Sequence, residues 1–217
     1  MIIATMLMIS TSCDVEFGIY NHGLVEQYEQ TRLVAEQGDV EAQFILGNIY
    51  IQGLGVTQSY KQALYWYRLS AEQGFADAQY NLAVAYFEGM GIVDKDYEQA
   101  IYWYRLAAKQ GLAMAQSNLG YMYRYGLGVP KNYEQAVYWY HLAAEQGHTE
   151  AQFNLGHKYI QGLGVPQDYE QAVYWYRLAA EQGNTRAQNN LAVMYYHGLG
   201  VSQDLKQAEY WYRLSKE

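Results

Sequence analysis

Few groups in this chain could carry chemistry, and their spacing limits what that chemistry could be. His22, His141, His148, His157 and His197 never form the His-Glu-x-x-His pattern that turns two imidazoles toward one zinc ion, so no metal is expected. Cys13 stands alone, which excludes an intrachain disulfide and the paired-cysteine spacings of structural zinc sites. Neither Ser-x-x-Lys nor Gly-x-Ser-x-Gly occurs, so the usual activated serine is missing as well. The Gly-Leu-Gly segments lack both the third glycine and the preceding strand of a dinucleotide loop, and no cofactor is expected. With catalysis unsupported, the chemistry that remains is recognition by aromatic side chains and a few cations, and its placement depends on the elements that carry them.

Those elements repeat. Tryptophan stands at Trp66, Trp103, Trp139, Trp175 and Trp211, a 36-residue period with one step of 37. Each lies in a near-copy of Asp168-Tyr-Glu-Gln-Ala-Val-Tyr-Trp-Tyr-Arg-Leu-Ala-Ala-Glu-Gln-Gly183. A fixed period of this length marks stacked supersecondary units. In such an array each unit contacts only its neighbours, so the core is a ribbon renewed at every junction.

Two helices are legible per unit. The second starts at Ser59, Asp96, Asn132, Asp168 or Asp204, each with a glutamine three residues on, which is a capping-box pattern in every copy. Ala172, Trp175, Ala179 and Ala180 then share one helical face, so the tryptophans are expected in the core. Gly38, Gly74, Gly111, Gly147 and Gly183 follow as left-handed helix ends. The first helix carries Ala-Gln, a leucine and a tyrosine, as in Ala151-Gln152, Leu155 and Tyr159. The small residue beside that leucine, Gly47, Ala83, Gly120, Gly156 or Ala192, is expected to let the second helix approach closely. Gly-Leu-Gly-Val turns, with Gly89-Met-Gly-Ile92 as the variant, join the paired helices. The one-residue insertion of the second unit falls between Gly91 and Tyr97, in the turn, where added length costs little.

Taken together, Ala-Gln-x-Asn-Leu-Gly-x-x-Tyr, Gly-x-Gly-Val and Tyr-Glu-Gln-Ala-x-x-Trp-Tyr resemble the Sel-one-like repeat, a relative of tetratricopeptide repeats with a longer turn and period. The resemblance covers five units, 39–74, 75–111, 112–147, 148–183 and 184–217. Residues 1–38 depart from it: Tyr20-Asn-His-Gly23 and Arg32-Leu-Val-Ala-Glu-Gln-Gly38 read as remnants of a degenerate, partial unit. What the resemblance implies is an all-α, right-handed superhelical solenoid of paired antiparallel helices. It also implies a non-enzymatic scaffold that binds a protein or peptide in a concave groove lined by the first helices. A cysteine-rich branch of the family is linked to β-lactam binding or hydrolysis, but this chain lacks the cysteine pairs that staple its units. A purely structural array associating end to end is the other alternative, with Leu214 expected to be exposed at its last helix.

Groove candidates are the first-helix positions that vary while their frame stays constant: Phe44, Asn48, Tyr80, Val84, Phe87, Tyr121, Arg124, Tyr125, Phe153, His157, Tyr196 and His197. They form an aromatic-rich set with Arg124 near its centre, the residue types in which interfaces concentrate binding energy. The competing reading is that they fill contacts between adjacent first helices. The second and sixth residues after the Ala-Gln glutamine are also expected to project toward the groove.

A net charge of −8 opposes a phosphate backbone, and no nucleic-acid partner is expected. Met1 to Ile9 is apolar and Ser10-Thr-Ser-Cys13 loosely matches a lipoprotein cleavage box, but the run has no preceding Lys or Arg and is too short to span a bilayer. Export or lipidation at Cys13 and a cytoplasmic location both stay open, the latter slightly favoured.

Overall fold

A computed structural model describes residues 12–90 and 93–216 of the chain. Its helices are α1 (Ser12–Glu36), α2 (Val40–Gln52), α3 (Tyr60–Glu72), α4 (Ala76–Glu88), α5 (Tyr97–Lys109), α6 (Ala113–Tyr125), α7 (Tyr133–Glu145), α8 (Thr149–Gln161), α9 (Tyr169–Glu181), α10 (Thr185–His197) and α11 (Leu205–Leu214). No strand occurs among the described residues, and each helix packs chiefly on its neighbours in sequence. The result is an all-α solenoid in which α2–α3, α4–α5, α6–α7, α8–α9 and α10–α11 are the repeated pairs.

The cap chemistry is half of what the pattern predicts. Ser59, Asp96, Asn132, Asp168 and Asp204 each accept from the backbone N–H of the glutamine three residues on. The reciprocal bond is replaced, because each cap residue donates its own N–H to a first-helix tyrosine carbonyl, Tyr50, Tyr86, Tyr123, Tyr159 or Tyr195, at 2.9–3.0 Å. That bond fixes the angle between paired helices as well as ending the turn. It survives the insertion in the second unit, where Asp96 still reaches Tyr86, so the extra residue is absorbed by the connection.

Both glycines of the turn are required, for different reasons. Gly126 ends α6 in the left-handed region at φ +71°. Gly128, at φ +68°, lies against the start of the preceding unit's second helix, where a Cβ would sit 2.5 Å from the carbonyl carbon of Tyr97. The small residue beside the first-helix leucine behaves as expected: a Cβ on Gly120 would meet the Tyr140 ring at 2.7 Å.

The recurring glutamine of each first helix is buried, and in the first four units it holds three helices together. Gln116 donates Nε2 to the carbonyl of Ala108 at the end of α5, and its Oε1 accepts from Gln146 at the end of α7, at 3.1 and 2.7 Å. Gln43, Gln79 and Gln152 repeat the arrangement. Satisfied buried amides of this kind join units without an apolar contact.

Tryptophans Trp66, Trp103, Trp175 and Trp211 are buried and Trp139 is partly so, each edge-on to an exposed tyrosine immediately before it. Helix α1 runs unbroken through Tyr20–Gly23. Its last part takes the place of a second helix: Ala35 is buried and accepts from Gln43, and the Leu24 carbonyl lies against Gly55 as that of Tyr97 does against Gly128. The apolar start, Met1–Ile9, lies outside the described residues, and so does the Cys13 side chain. Leu214 is partly buried against the α9–α10 core rather than exposed. No described helix is long and apolar enough to cross a membrane.

Candidate functional site

Successive first helices, α2, α4, α6, α8 and α10, bring the varying side chains into a continuous row. Phe87 meets Tyr121 of the next unit with ring centroids 6.2 Å apart, and Tyr121 meets Tyr125 at 4.6 Å. Arg124 donates to Asn154 Oδ1 across the next junction at 3.0 Å and lies over the Tyr125 ring, 5.0 Å from its centroid. Val84 lies between two cavities, one of about 280 Å³ shared with Asn48 and Ile51, the other of about 310 Å³ shared with Tyr80, Phe87 and Tyr121.

The candidates divide by depth. Phe44, Tyr80 and Phe153 lie 5.7–5.9 Å from the core tyrosines Tyr67, Tyr104 and Tyr176, so much of their surface is spent inside the unit. Tyr121, Tyr125, Tyr196 and His197 are exposed. Asn48, Val84, Phe87, Arg124 and His157 are half-buried between the two sets. Tyr196 and His197 lie at the far end, lining an apolar cavity of about 400 Å³ with Leu205 and Tyr212.

One expectation fails. The sixth residue after each glutamine turns into the junction core rather than the groove: Ile49, Ala85, Met122, Lys158 and Met194 are 0–4% exposed. Among them Lys158, 1% exposed, is a buried cation that the variability of surface positions did not pick out. Its ammonium lies 4.9 Å from the centre of the Tyr133 ring and donates to Gln161 Oε1 at 3.3 Å. Burial, with Arg124 and Lys131 nearby, lowers its pKa to about 8. The visible signal was a charge in a slot that is otherwise apolar.

Histidines play structural parts. His148 caps α8 by accepting from the Ala151 N–H through Nδ1, which requires its neutral form, and burial lowers its pKa accordingly. His157 lies 3.5 Å from the Tyr176 hydroxyl, and burial and Arg124 both lower its pKa. No group of His, Cys, Asp and Glu that could hold a metal occurs among the described residues.

Comparison with known proteins matches the Sel1 repeat to residues 40–75, 76–112, 113–148, 149–184 and 185–217. No match was found among curated proteins. A protective antigen present in uropathogenic Escherichia coli strains, displaying an SLR fold, is 40% identical with a TM-score of 0.86, over 89% of this chain and 41% of that one. This chain therefore spans less than half of that antigen's length. A Sel1 repeat protein from Oxalobacter formigenes is 42% identical over 83% of this chain and 71% of that one, with a TM-score of 0.77. The immunity protein Pa5087 from Pseudomonas aeruginosa, 21% identical over 97% of this chain and 83% of that one with a TM-score of 0.53, shares the fold alone.

Proposed function

Because this chain belongs to the Sel1 repeat family, whose members are generally protein-interaction scaffolds, we propose that it is a non-enzymatic adaptor that binds a peptide or protein segment along its first-helix groove. The observation that carries this reading is the continuity of the row. Tyr121, exposed on α6, touches Phe87 of the preceding unit, and Arg124 reaches Asn154 of the following one, so one extended ligand could contact three units. Aromatic and arginine side chains are the usual anchors of such contacts, because they cover large areas with few rotatable bonds.

Affinity capture from native lysate, comparing the wild type with a folded Tyr121→Ser, Arg124→Ser, Phe153→Ser variant, tests the groove. A partner held by the wild type and lost in the variant supports the reading. Equal capture by both moves binding to another face. The competing end-to-end association is favoured by one feature, the apolar cavity between α10 and α11, with Tyr212 and Leu205 exposed beside it. A sedimentation coefficient independent of protein concentration would exclude it.

A further inference from the structure

Three slots of the repeat change together between the third and fourth units. The slot of Ile51, Phe87, Ile160 and Tyr196 holds Arg124; that of Asn48, Val84, Tyr121 and Val193 holds His157; and the core slot of Ile49, Ala85, Met122 and Met194 holds Lys158. These slots face one space, since at the first junction their equivalents Ile51, Val84 and Ala85 line a single cavity of about 280 Å³ with Tyr67. At the third-to-fourth junction the corresponding slots carry a guanidinium, an imidazole and an ammonium. Arg124 lies close enough to act on both His157 and Lys158, and Lys131 approaches the other cations through the Tyr133 ring, 4.7 Å from its centre.

No carboxylate pairs with them directly: Glu150, which accepts from Asn154 beside Arg124, is held by Arg186. Among the described residues the ion pairs involve Arg32, His141 and Arg186, and none involves Arg124, Lys131, His157 or Lys158. Arg124 and Lys158 find only the neutral acceptors Asn154 and Gln161. The Tyr140 hydroxyl is fully buried with the Arg124 guanidinium beside it, whereas the matching Tyr67 donates to Asn48 and Tyr104 accepts from Asn118. An unpaired buried ammonium costs the fold free energy, and methionine fills the same slot in two other units, so packing does not account for Lys158.

We propose that the junction between the third and fourth units is a carboxylate subsite, in which the half-buried Arg124, backed from beneath by the buried Lys158 and flanked by His157 and Lys131, holds an aspartate or glutamate side chain of the peptide in the groove. This deepens the groove reading and rests on it. Positive charge collected at one junction attracts an acidic residue there, while the rest of a chain carrying a net −8 repels it elsewhere, which sets register as well as affinity.

The test selects random twelve-residue peptides displayed on phage against the wild type and against Arg124→Ile, Lys158→Met, each replacement being one that other units use in the same slot. The wild type is expected to enrich peptides with Asp or Glu at one fixed position, and the variant to enrich peptides without it. Changing that acid to its amide in a synthetic peptide should weaken wild-type binding roughly tenfold, as loss of a charge-assisted hydrogen bond does, and leave variant binding unchanged. Peptides enriched by the wild type without an acidic position overturn the subsite and leave the groove standing. No enrichment by either protein overturns both. A phosphoserine version binding more than tenfold tighter than the glutamate peptide reassigns the subsite to phosphate. A second readout is independent of selection: the Lys158 Cε resonance followed through its titration should move to higher pH when the acidic peptide binds, and an unmoved titration overturns the contact.

Discussion

Gly128→Ala probes the feature that sets the spacing of the units. At φ +68° an alanine is strained by about 1–2 kcal/mol on its own. Its Cβ would also sit 2.5 Å from the Tyr97 carbonyl carbon and 2.9 Å from Tyr97 Cβ, nearer than such atoms approach. Because backbone lies on both sides, no rotamer change relieves the overlap, and the turn must move away from α5. Overpacking of this kind costs about 1–3 kcal/mol more, for a total of roughly 2–5 kcal/mol. Gly111→Ala is the control: it has the same sign of φ, +92°, but no atom within 4 Å of its Cβ, so only the strain applies. Urea unfolding followed by circular dichroism at fixed protein concentration would compare the two midpoints. A Gly128→Ala midpoint no lower than that of Gly111→Ala would refute the contact argument and reduce the second turn glycine to a matter of backbone conformation.

Three further outcomes follow from the packing. Gln116→Leu should destabilise by about 1–3 kcal/mol, since it removes the bond to Gln146 and the buried donor to the Ala108 carbonyl, whereas Gln188→Leu should cost less because Gln188 Oε1 already lacks a partner; equal losses would show that the bond between glutamines contributes nothing. Trp175→Ala should cost about 3–5 kcal/mol and Trp139→Ala less, in line with their burial, and an unchanged melting temperature for Trp175→Ala would remove tryptophan from the core. Lys158→Met should raise stability at pH 7. The folded lysine releases its proton near pH 8 while the unfolded chain keeps it to about 10.5, so the wild type gains stability as pH rises between those values. The advantage of the variant, measured as the difference in urea midpoints, should therefore shrink from pH 7 to pH 10, and a constant or growing difference would contradict a buried, charged Lys158.

The helices, their caps and the packing of Gly120 on Tyr140 were legible because each depends on residues close in sequence or on one repeated pair. The missing half of the capping box was not. The cap N–H is answered by a tyrosine carbonyl nine or ten residues earlier, and a backbone acceptor leaves no mark on side-chain identity. Ala-Gln was visible as a motif, but its double bond needs the ends of two other helices in place. Variation between copies pointed to Arg124 and His157, which are half-buried in the row formed by the first helices. It passed over Lys158, whose slot was expected to face outward, and only the face on which the helix packs turns that lysine into the junction core beside Ile49, Met122 and Met194 of the other units.

The glutamine arrangement has a bearing on how such a chain changes over generations. Each unit brings a donor, the glutamine Nε2 of its first helix, and an acceptor, an alanine carbonyl near the end of its second, so any whole unit fits between any two others without altering a junction. Duplication or loss of the coding segment for one 36-residue unit would lengthen or shorten the array and leave its seams intact. The parts that then diverge freely are the few outward positions of each first helix, so ligand preference can drift one unit at a time on a framework inherited whole.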